Sequence, residues 1–249
     1  MSRRESLLNS IRRVCLGLRR VPLVALLAMA GSSSGQTQSS KSEFWPELDV
    51  FLNLNQDSRL YFMYSGVRQS DLTDYADGEV GGFYDFFLLP MPGEKPGQHP
   101  NSPRYKFLML RGGFEYSTTP AGNSKPSTQY IPVILIDARF RLPWHFLLAE
   151  RNRGDLRVVN GVFSPIYRNR LRLERPFRAG RFQLAPFAQA EVFYSAQADE
   201  FNQFRYSIGL DWVMVRHAIL EPYYTREHNV KISTPNVNAL GIKLELYFR

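Results

Sequence analysis

The chain has a single cysteine, Cys15, and no long hydrophobic run beyond residue 35. One thiol cannot build a disulfide scaffold or a thiolate metal site. A membrane-spanning helix needs about 20 consecutive apolar residues, and no segment after residue 35 supplies them. The sequence also lacks a P-loop and the patterns GxGxxG, CxxC and HExxH. These absences argue against a helical membrane protein and against the common nucleotide, redox and zinc sites, so we expect no cofactor and no metal ion.

The N-terminus carries the pattern of a secretory signal peptide. A basic stretch that ends at Arg20 precedes an apolar run of ten residues, Val21 to Ala30. The run closes with Ala28-Met29-Ala30, whose small residues suit cleavage by a signal peptidase. We therefore predict a signal peptide over 1–30, with cleavage as late as residue 35 as one alternative and a short N-terminal anchor as another. A flexible lead-in is predicted over 31–43 because this segment is rich in Gly, Ser, Gln and Thr.

Most of the net positive charge belongs to that N-terminal segment. The whole chain has 31 Lys and Arg against 23 Asp and Glu, a net charge of +8. Residues 1–35 hold six Arg and one Glu, which leaves a net charge of +3 for the remainder. The basic balance is therefore weak evidence for nucleic acid binding, and no nucleic acid partner is expected.

Side chains after residue 43 alternate between apolar and polar, which is the period of a β-strand between two different environments. In 236–248, for example, Leu240 and Ile242 lie on one face while Lys243 and Glu245 lie on the other. Most of the predicted strands span 10–15 residues, whereas strands of globular proteins average about 5–6 and membrane strands need about 9–11. The eleven predicted strands cover 44–55, 58–68, 79–89, 104–117, 129–140, 143–154, 165–176, 181–195, 201–213, 217–228 and 236–248.

Long strands with one apolar face are what a barrel in lipid requires, because only helices and closed barrels satisfy every backbone group in hydrocarbon. We predict an all-β fold, a single antiparallel up-and-down transmembrane β-barrel of about 10–12 strands over 44–249. An even count is expected when both termini lie in the periplasm, so twelve strands are favoured, with the missing strand at 36–43 or 155–163. A soluble lipocalin-type barrel is the alternative, and it would place the apolar residues inside.

Connections and aromatic residues support the outer-membrane prediction. Short turns alternate with longer polar loops, although the Pro- and Gly-rich loop 90–103 breaks the alternation. The chain ends on an amphipathic strand with the aromatic Phe248 followed by Arg249, and a terminal aromatic is a feature of barrels that the assembly machinery recognises. The predicted aromatic girdles at the two membrane interfaces comprise Trp45, Tyr61, Tyr64, Phe86, Phe87, Tyr116, Tyr130, Trp144, Tyr194, Trp212, Tyr223, Tyr224, Tyr247 and Phe248.

Several segments together resemble an uncharacterised family of bacterial outer-membrane barrel proteins, known as a domain of unknown function. They are the hairpin Phe44–Arg68, the arginine-rich segments 151–153 and 168–174, the strand Pro186–Tyr194 and the segment Arg205–Leu210. The resemblance covers nearly all of 44–249. It implies a barrel in the outer membrane and offers no catalytic residues to transfer.

The most informative pattern is a set of charges on the polar faces of the strands. Between 139 and 181 there are eleven Arg against Glu150, Asp155 and Glu174. The interior of a small barrel is narrow, so charges inside it must pair or stay hydrated. Two interpretations follow. One is a salt-bridge network that plugs and stiffens the barrel. The other is an anion-selective pore or a channel that binds phosphate or carboxylate, because rings of arginine attract anions. The predicted interior charge network is Arg139, Arg151, Arg153, Arg168, Arg170, Arg172, Glu174, Glu191, Arg205, Asp211 and Glu221.

Catalysis has weaker support, and the chain is predicted not to be an enzyme. The alternative is a membrane-embedded hydrolase of lipid or lipopolysaccharide that uses Glu227, His228 and Ser233, but no nucleophile stands at a fixed strand spacing from a base. The acidic loop Asp71, Asp74, Asp77 and Glu79 does not match the spacing of a calcium loop and is interpreted as a solvated loop. Expected partners are outer-membrane lipid, lipopolysaccharide, the barrel assembly machinery and a small anionic solute.

Overall fold

The computed structural model describes residues 39–69, 75–91, 106–119, 127–231 and 233–248. These residues form fourteen strands and one short 3-10 turn at Pro143–His145. No helix among them is long and apolar enough to cross a membrane. The strands are β1 Ser40–Asn53, β2 Ser58–Gln69, β3 Tyr75–Pro90, β4 Lys106–Thr118, β5 Thr128–Arg141, β6 Leu147–Asp155, β7 Val158–Val159, β8 Val162–Phe163, β9 Ile166–Glu174, β10 Phe177–Ala179, β11 Phe182–Ser195, β12 Glu200–Val215, β13 Ala218–Asn229 and β14 Asn236–Phe248.

Eleven long strands close into a barrel, in the order β1-β2-β3-β4-β5-β6-β9-β11-β12-β13-β14. Every neighbouring pair is antiparallel except the closing pair, in which β1 and β14 run parallel from Ser40↔Asn236 to Leu52↔Phe248. The predicted β-barrel is confirmed, and the eleven strands found from the alternation are the eleven strands of the wall. The preference for twelve was wrong, because a parallel seam lets an odd number of strands close.

The two places proposed for a twelfth strand have other structures. Ser40 to Glu43 extend β1 at its beginning. Residues 158–163 form the small hairpin β7–β8, and its two-residue turn is Asn160-Gly161. Both turn residues have positive φ, 48° and 84°, the conformation of the type I′ turn that matches the twist of a hairpin. The hairpin pairs only with the start of β5 and adds no strand to the wall.

The alternation of apolar and polar residues in the sequence corresponds to the outer and inner faces of the barrel wall. Large apolar side chains such as Ile134, Ile208 and Leu240 are exposed on the outer surface, each by more than 60%. Charged side chains such as Asp85 and Glu115 are almost completely buried on the inner face. A soluble barrel would have the reverse arrangement, with a dry apolar interior. The observed arrangement is that of a transmembrane β-barrel.

The parallel seam places the start of β1 and the end of β14 at opposite ends of the barrel. One end, here called the loop end, carries the start of β1 and the connections 70–74, 119–127, 156–165, 196–199 and 230–235. The other, here called the turn end, carries the end of β14 and the connections 54–57, 91–105, 142–146, 175–181 and 216–217. The turn end therefore holds most of the short connections and also the long connection 91–105.

Some aromatic residues predicted to form girdles lie inside instead. Tyr61, Phe51, Phe83 and Tyr247 stack in one ladder on the inner wall, with ring centroids 4.7–5.0 Å apart. The girdle prediction was wrong for the five residues that line the interior, because their parity in the strand is that of the charged residues. They are Trp45, Tyr61, Phe87, Tyr223 and Tyr247.

The predicted signal peptide and most of the predicted lead-in lie outside the described residues, which begin at residue 39. Both stay predictions. The predicted barrel boundary at residue 44 is a few residues late, since β1 begins at Ser40.

A charged interior cavity as the candidate functional site

The barrel encloses a cavity of about 1810 Å³ that is lined by the inner faces of the strands and by connections of the turn end. Its wall includes thirteen Arg, one Lys and ten Asp or Glu side chains. Cations therefore outnumber carboxylates on the wall that solvent reaches. Three further carboxylates, Asp85, Asp155 and Glu227, bind arginines of this wall from buried positions, so the excess of positive charge over the whole wall is small.

All eleven residues of the predicted charge network line this cavity. They come from β5, β6, β9, β11, β12 and β13, in which every second side chain points inward. The structure thus brings these side chains together, while their functional role stays a prediction.

One continuous chain of ion pairs runs across the wall from β4 to β13. Arg153 binds Glu115 on β4 and Asp155, the latter at 2.5 Å. Arg168 on β9 then links Asp155 at 3.6 Å to Glu191 on β11 at 3.0 Å. Each carboxylate is shared between two cations of different strands, except at the ends, so the chain ties neighbouring strands together through their side chains. It continues from Glu191 through Arg205 to Glu227.

Arg172 is the centre of a second cluster nearer the turn end. Its guanidinium contacts Asp211 at 2.8 Å, Glu221 at 3.1 Å and Glu174 at 3.2 Å. It also lies over the Phe187 ring, 3.7 Å from the centroid. A guanidinium offers five N–H donors in a fixed plane, which suits simultaneous binding to several carboxylates. Lys243 on β14 contacts Glu221 at 3.1 Å and extends this cluster toward the seam.

A third cluster was not predicted from the sequence. Asp85 is completely buried and accepts hydrogen bonds from Arg59 at 2.6 Å and from Arg111 at 2.5 Å. The two guanidiniums lie over rings of the aromatic ladder, Arg59 over Phe51 and Arg111 over Tyr61, about 4 Å from the centroids. The parity of Arg111 already indicated an inward side chain. The inward direction of Asp85 could not be inferred from the sequence, because aromatic residues occupy both faces of the segment 83–87.

Six charged residues form a single cross-strand row on the inner face. From β5 to β13 the row reads Asp137, Arg151, Arg170, Glu191, Arg205 and Glu227, each the direct partner of the next. The signs alternate except between Arg151 and Arg170. Directly opposed like charges destabilise a sheet. The Arg151–Arg170 pair is therefore the one neighbouring pair in the row that repels.

Arg170 is also unlike its neighbours in its contacts. Arg168 and Arg172, two residues away on the same face, each bind at least two carboxylates. Among the described residues no carboxylate forms a salt bridge with Arg170, and no acceptor receives a hydrogen bond from it. Its cross-strand partner Glu191 is engaged by Arg168 and Arg205.

The neighbouring arginines share very little negative charge. Arg139 and Arg151 both bind Asp137, at 2.9 and 3.1 Å. Asp137 is therefore the one described carboxylate that forms ion pairs within the group Arg139, Arg151 and Arg170. Part of the excess of arginine over acid seen in the sequence between 139 and 181 lies at this place in the cavity.

The mouth of the cavity at the turn end is basic. The basic side chains from the turns and their flanks that line it are Arg141, His145, Arg178, Arg181, Arg216 and His217, and the flanking carboxylate Glu174 at the end of β9 lines it too. No carboxylate from the described parts of those turns lines the cavity. Trp144, 79% exposed, and His145 both have positive φ near 60°, a backbone conformation that non-glycine residues adopt rarely. The turn therefore holds two large side chains at the rim in a strained conformation.

The residues proposed for hydrolysis are not brought together. Glu227 points inward and binds Arg205, with an Nε–Oε2 distance of 2.7 Å. His228 is the next residue in the strand and is exposed on the outer face. Ser233 lies in the connection that follows β13. Adjacent residues of a strand cannot serve one catalytic site on the same face.

The acidic segment 71–79 is only partly described. Asp71 and Asp74 lie outside the described residues. Asp77 and Glu79 belong to β3, where Asp77 accepts a hydrogen bond from Ser117 at 3.1 Å. The described residues contain no group of His, Cys, Asp and Glu suited to hold a metal ion.

Comparison with solved structures gives a structural likeness. Among solved structures, the chain is similar to the β domain of the Bordetella autotransporter BrkA, with 14% identity, a TM-score of 0.43, and coverage of 76% of this chain and 80% of that chain. No family model matches the chain, and no curated protein matches it. Membership of the uncharacterised barrel family therefore stays a prediction.

Proposed function

We propose that this chain is an outer-membrane β-barrel protein whose arginine-rich interior forms a narrow pore that favours anions. The observation that carries the proposal is the group Arg139, Arg151 and Arg170, which faces the open cavity with only Asp137 to balance it. A barrel held by charge pairing alone would gain stability if this excess were neutralised. Cationic side chains on a channel wall instead lower the free energy of an anion inside it.

The location follows from the apolar outer surface. Contact with outer-membrane lipid and lipopolysaccharide covers that surface, and export behind the predicted signal peptide precedes insertion by the barrel assembly machinery. The short turns of such barrels usually lie in the periplasm. We therefore assign the turn end, with its basic mouth, to the periplasmic side.

Ion selectivity in planar bilayers tests the proposal. The full-length protein, reconstituted under a KCl gradient, should give discrete currents whose reversal potential shows preference for chloride. Arg170→Gln should reduce that preference, because it removes a positive charge that no described carboxylate balances. Arg226→Gln is the matched control, since Arg226 is exposed on the outer face, and it should leave selectivity unchanged. Absence of currents, or currents without preference for chloride, would overturn the pore, and equal selectivity in both variants would overturn the role of Arg170 in it.

A purely structural barrel is the second candidate. The ion-pair chain from Glu115 to Glu227 and the Arg172 cluster favour it, because they link strands from β4 to β14. In that case the protein would resist unfolding and carry no current. A lipid hydrolase has no assembled catalytic group among the described residues, so it is not proposed.

A further inference from the structure

We infer that Arg151 and Arg170 form a binding site for a dianionic oxyanion, a phosphate or a dicarboxylate, on the wall of the cavity. The inference deepens the proposed function, since it rests on the same cavity and names the class of solute. It begins from the break in the row of alternating charges. Two guanidiniums on directly paired positions repel each other unless an anion lies between them.

The guanidinium groups of Arg151 and Arg170 have N–H donors that are free to bind an anion. Arg151 uses Nε and Nη2 to bind Asp137, at 3.2 and 3.1 Å. Arg170 donates to no described acceptor, so all its N–H groups remain available. Guanidinium groups bind phosphate and carboxylate oxygens through pairs of parallel hydrogen bonds, which a spherical halide cannot accept. The geometry therefore favours an oxyanion over chloride.

The surroundings leave room beside this pair. Ala149, two residues from Arg151 on the same face, lines the cavity with a short side chain. Gln189 lies diagonally across from Arg170 on β11, and its Oε1 atom is buried without a hydrogen-bond partner. An amide that turns over presents its NH₂ group in place of the oxygen, which would add a neutral donor to the site. Arg172, on the turn-end side, is already bound by three carboxylates and does not compete.

The cavity connects this pair to the basic mouth at the turn end. Arg141, Arg178, Arg181 and Arg216 line the same cavity as Arg151 and Arg170. Positive charge at an entrance raises the local concentration of anions and speeds their arrival. An anion that enters from the turn end therefore passes these arginines before it reaches Arg151 and Arg170.

Ligand-dependent stability tests the site without any need for conduction. The full-length protein in lipid vesicles is unfolded by urea at constant ionic strength in chloride, in inorganic phosphate, and in succinate. A ligand that binds only the folded state raises the unfolding midpoint. We expect phosphate or succinate to raise it relative to chloride, and the larger effect identifies the preferred oxyanion. Equal midpoints in the three salts would overturn the site.

Two substitutions of Arg170 and one control test whether this residue causes the stabilisation by oxyanions. Arg170→Gln should weaken oxyanion binding about tenfold or more, because it removes charge-assisted hydrogen bonds. Arg170→Lys keeps the charge but not the planar fork, so it should recover only part of the binding. Arg226→Gln, on the outer face, should bind like the unmodified protein. Undiminished stabilisation in Arg170→Gln would also overturn the assignment.

Failure of this inference and failure of the pore are distinguishable. Anion-selective current without oxyanion-dependent stability would retain the pore and reject the site. Oxyanion-dependent stability that requires Arg170, in a protein that carries no current, would retain the site and reject the pore.

Discussion

Arg151 on β6 and Arg170 on β9 are direct cross-strand partners on the inner wall, and they are the two like charges in a row that otherwise alternates in sign. The other arginines nearby are paired with carboxylates, and Arg172 alone contacts three. Interior arginines of this barrel therefore fall into two groups. One group holds strands together, and the other faces the cavity at a cost in stability.

This division predicts opposite results for two neighbouring substitutions. Arg172→Gln should lower the free energy of unfolding by about 3–5 kcal/mol, because it leaves buried carboxylates without their partner. Arg170→Gln should change it by less than about 1 kcal/mol or increase it, because it relieves repulsion between like charges. Urea unfolding in lipid vesicles, followed by tryptophan fluorescence, measures both. Equal destabilisation by the two variants would show that Arg170 also has a structural role.

The buried Asp85 gives a second prediction. Asp85→Asn removes the charge that both Arg59 and Arg111 bind, and these arginine side chains are only 5% and 9% exposed. The free energy of unfolding should fall by about 3–5 kcal/mol, because two buried cations lose their counter-charge. Asp57→Asn is the control: the Asp57 side chain is 64% exposed and binds Lys106 at the surface, so its loss should cost less than about 1 kcal/mol. A similar cost for both would contradict the buried cluster.

The wall of the barrel was predictable from the sequence because lipid and interior impose opposite polarity on successive residues. In β14, the polarity of Leu240 and Lys243 alone assigns the first to the lipid-facing side and the second to the interior side. The closure was not predictable in the same way. Whether β1 pairs with β14 in parallel depends on contacts between residues about 200 positions apart, and alternation within one strand carries no information about its partner's direction.

The interior charges were predictable as a set and not as individual pairs. Parity placed Arg168, Arg170 and Arg172 on one face, but their partners lie on other strands, and the cross-strand register decides which arginine finds a carboxylate. Arg170 differs from Arg172 only through that register. The aromatic ladder was missed for a related reason, since Tyr61 and Phe83 are apolar by composition but lie on the inner face.

Close packing at the seam supplies a third prediction. A Cβ atom on Gly241 would lie 2.0 Å from Cζ of Tyr223, whose ring crosses the glycine. Gly241→Ala should therefore displace the ring, break the hydrogen bond from Tyr223 to Glu47, and lower the free energy of unfolding by about 1–3 kcal/mol. Gly112→Ala has no heavy atom within 4 Å of the new Cβ and should be neutral. The same urea assay compares them, and a neutral Gly241→Ala would contradict the packing.

The orientation of the wall gives a fourth prediction. Single cysteines placed along β14 in a Cys15→Ser background and labelled with a fluorophore should be quenched by brominated lipid at positions 240, 242 and 244. Those at 243, 245 and 247 should be protected, because these residues face the interior. The expected result is strict alternation along the strand. Quenching with the opposite parity would mean that the apolar face is internal and that the protein is not a membrane barrel.

The parallel seam gives the fifth prediction. Leu48 and Leu244 are direct partners across β1 and β14, and Cα atoms of such partners lie within the distance that a disulfide spans. Cysteines at both positions, again with Cys15→Ser, should form a disulfide on oxidation of the folded barrel, seen as a mobility shift in gels without reductant. The matched control pairs cysteines at 48 and 240, about 13 Å out of register at 3.3 Å per residue, and should not cross-link. A further strand between β1 and β14 would separate positions 48 and 244 and abolish their cross-link. Antiparallel closure would give a different register. The disulfide between positions 48 and 244 is therefore expected only from an eleven-stranded barrel that closes in parallel.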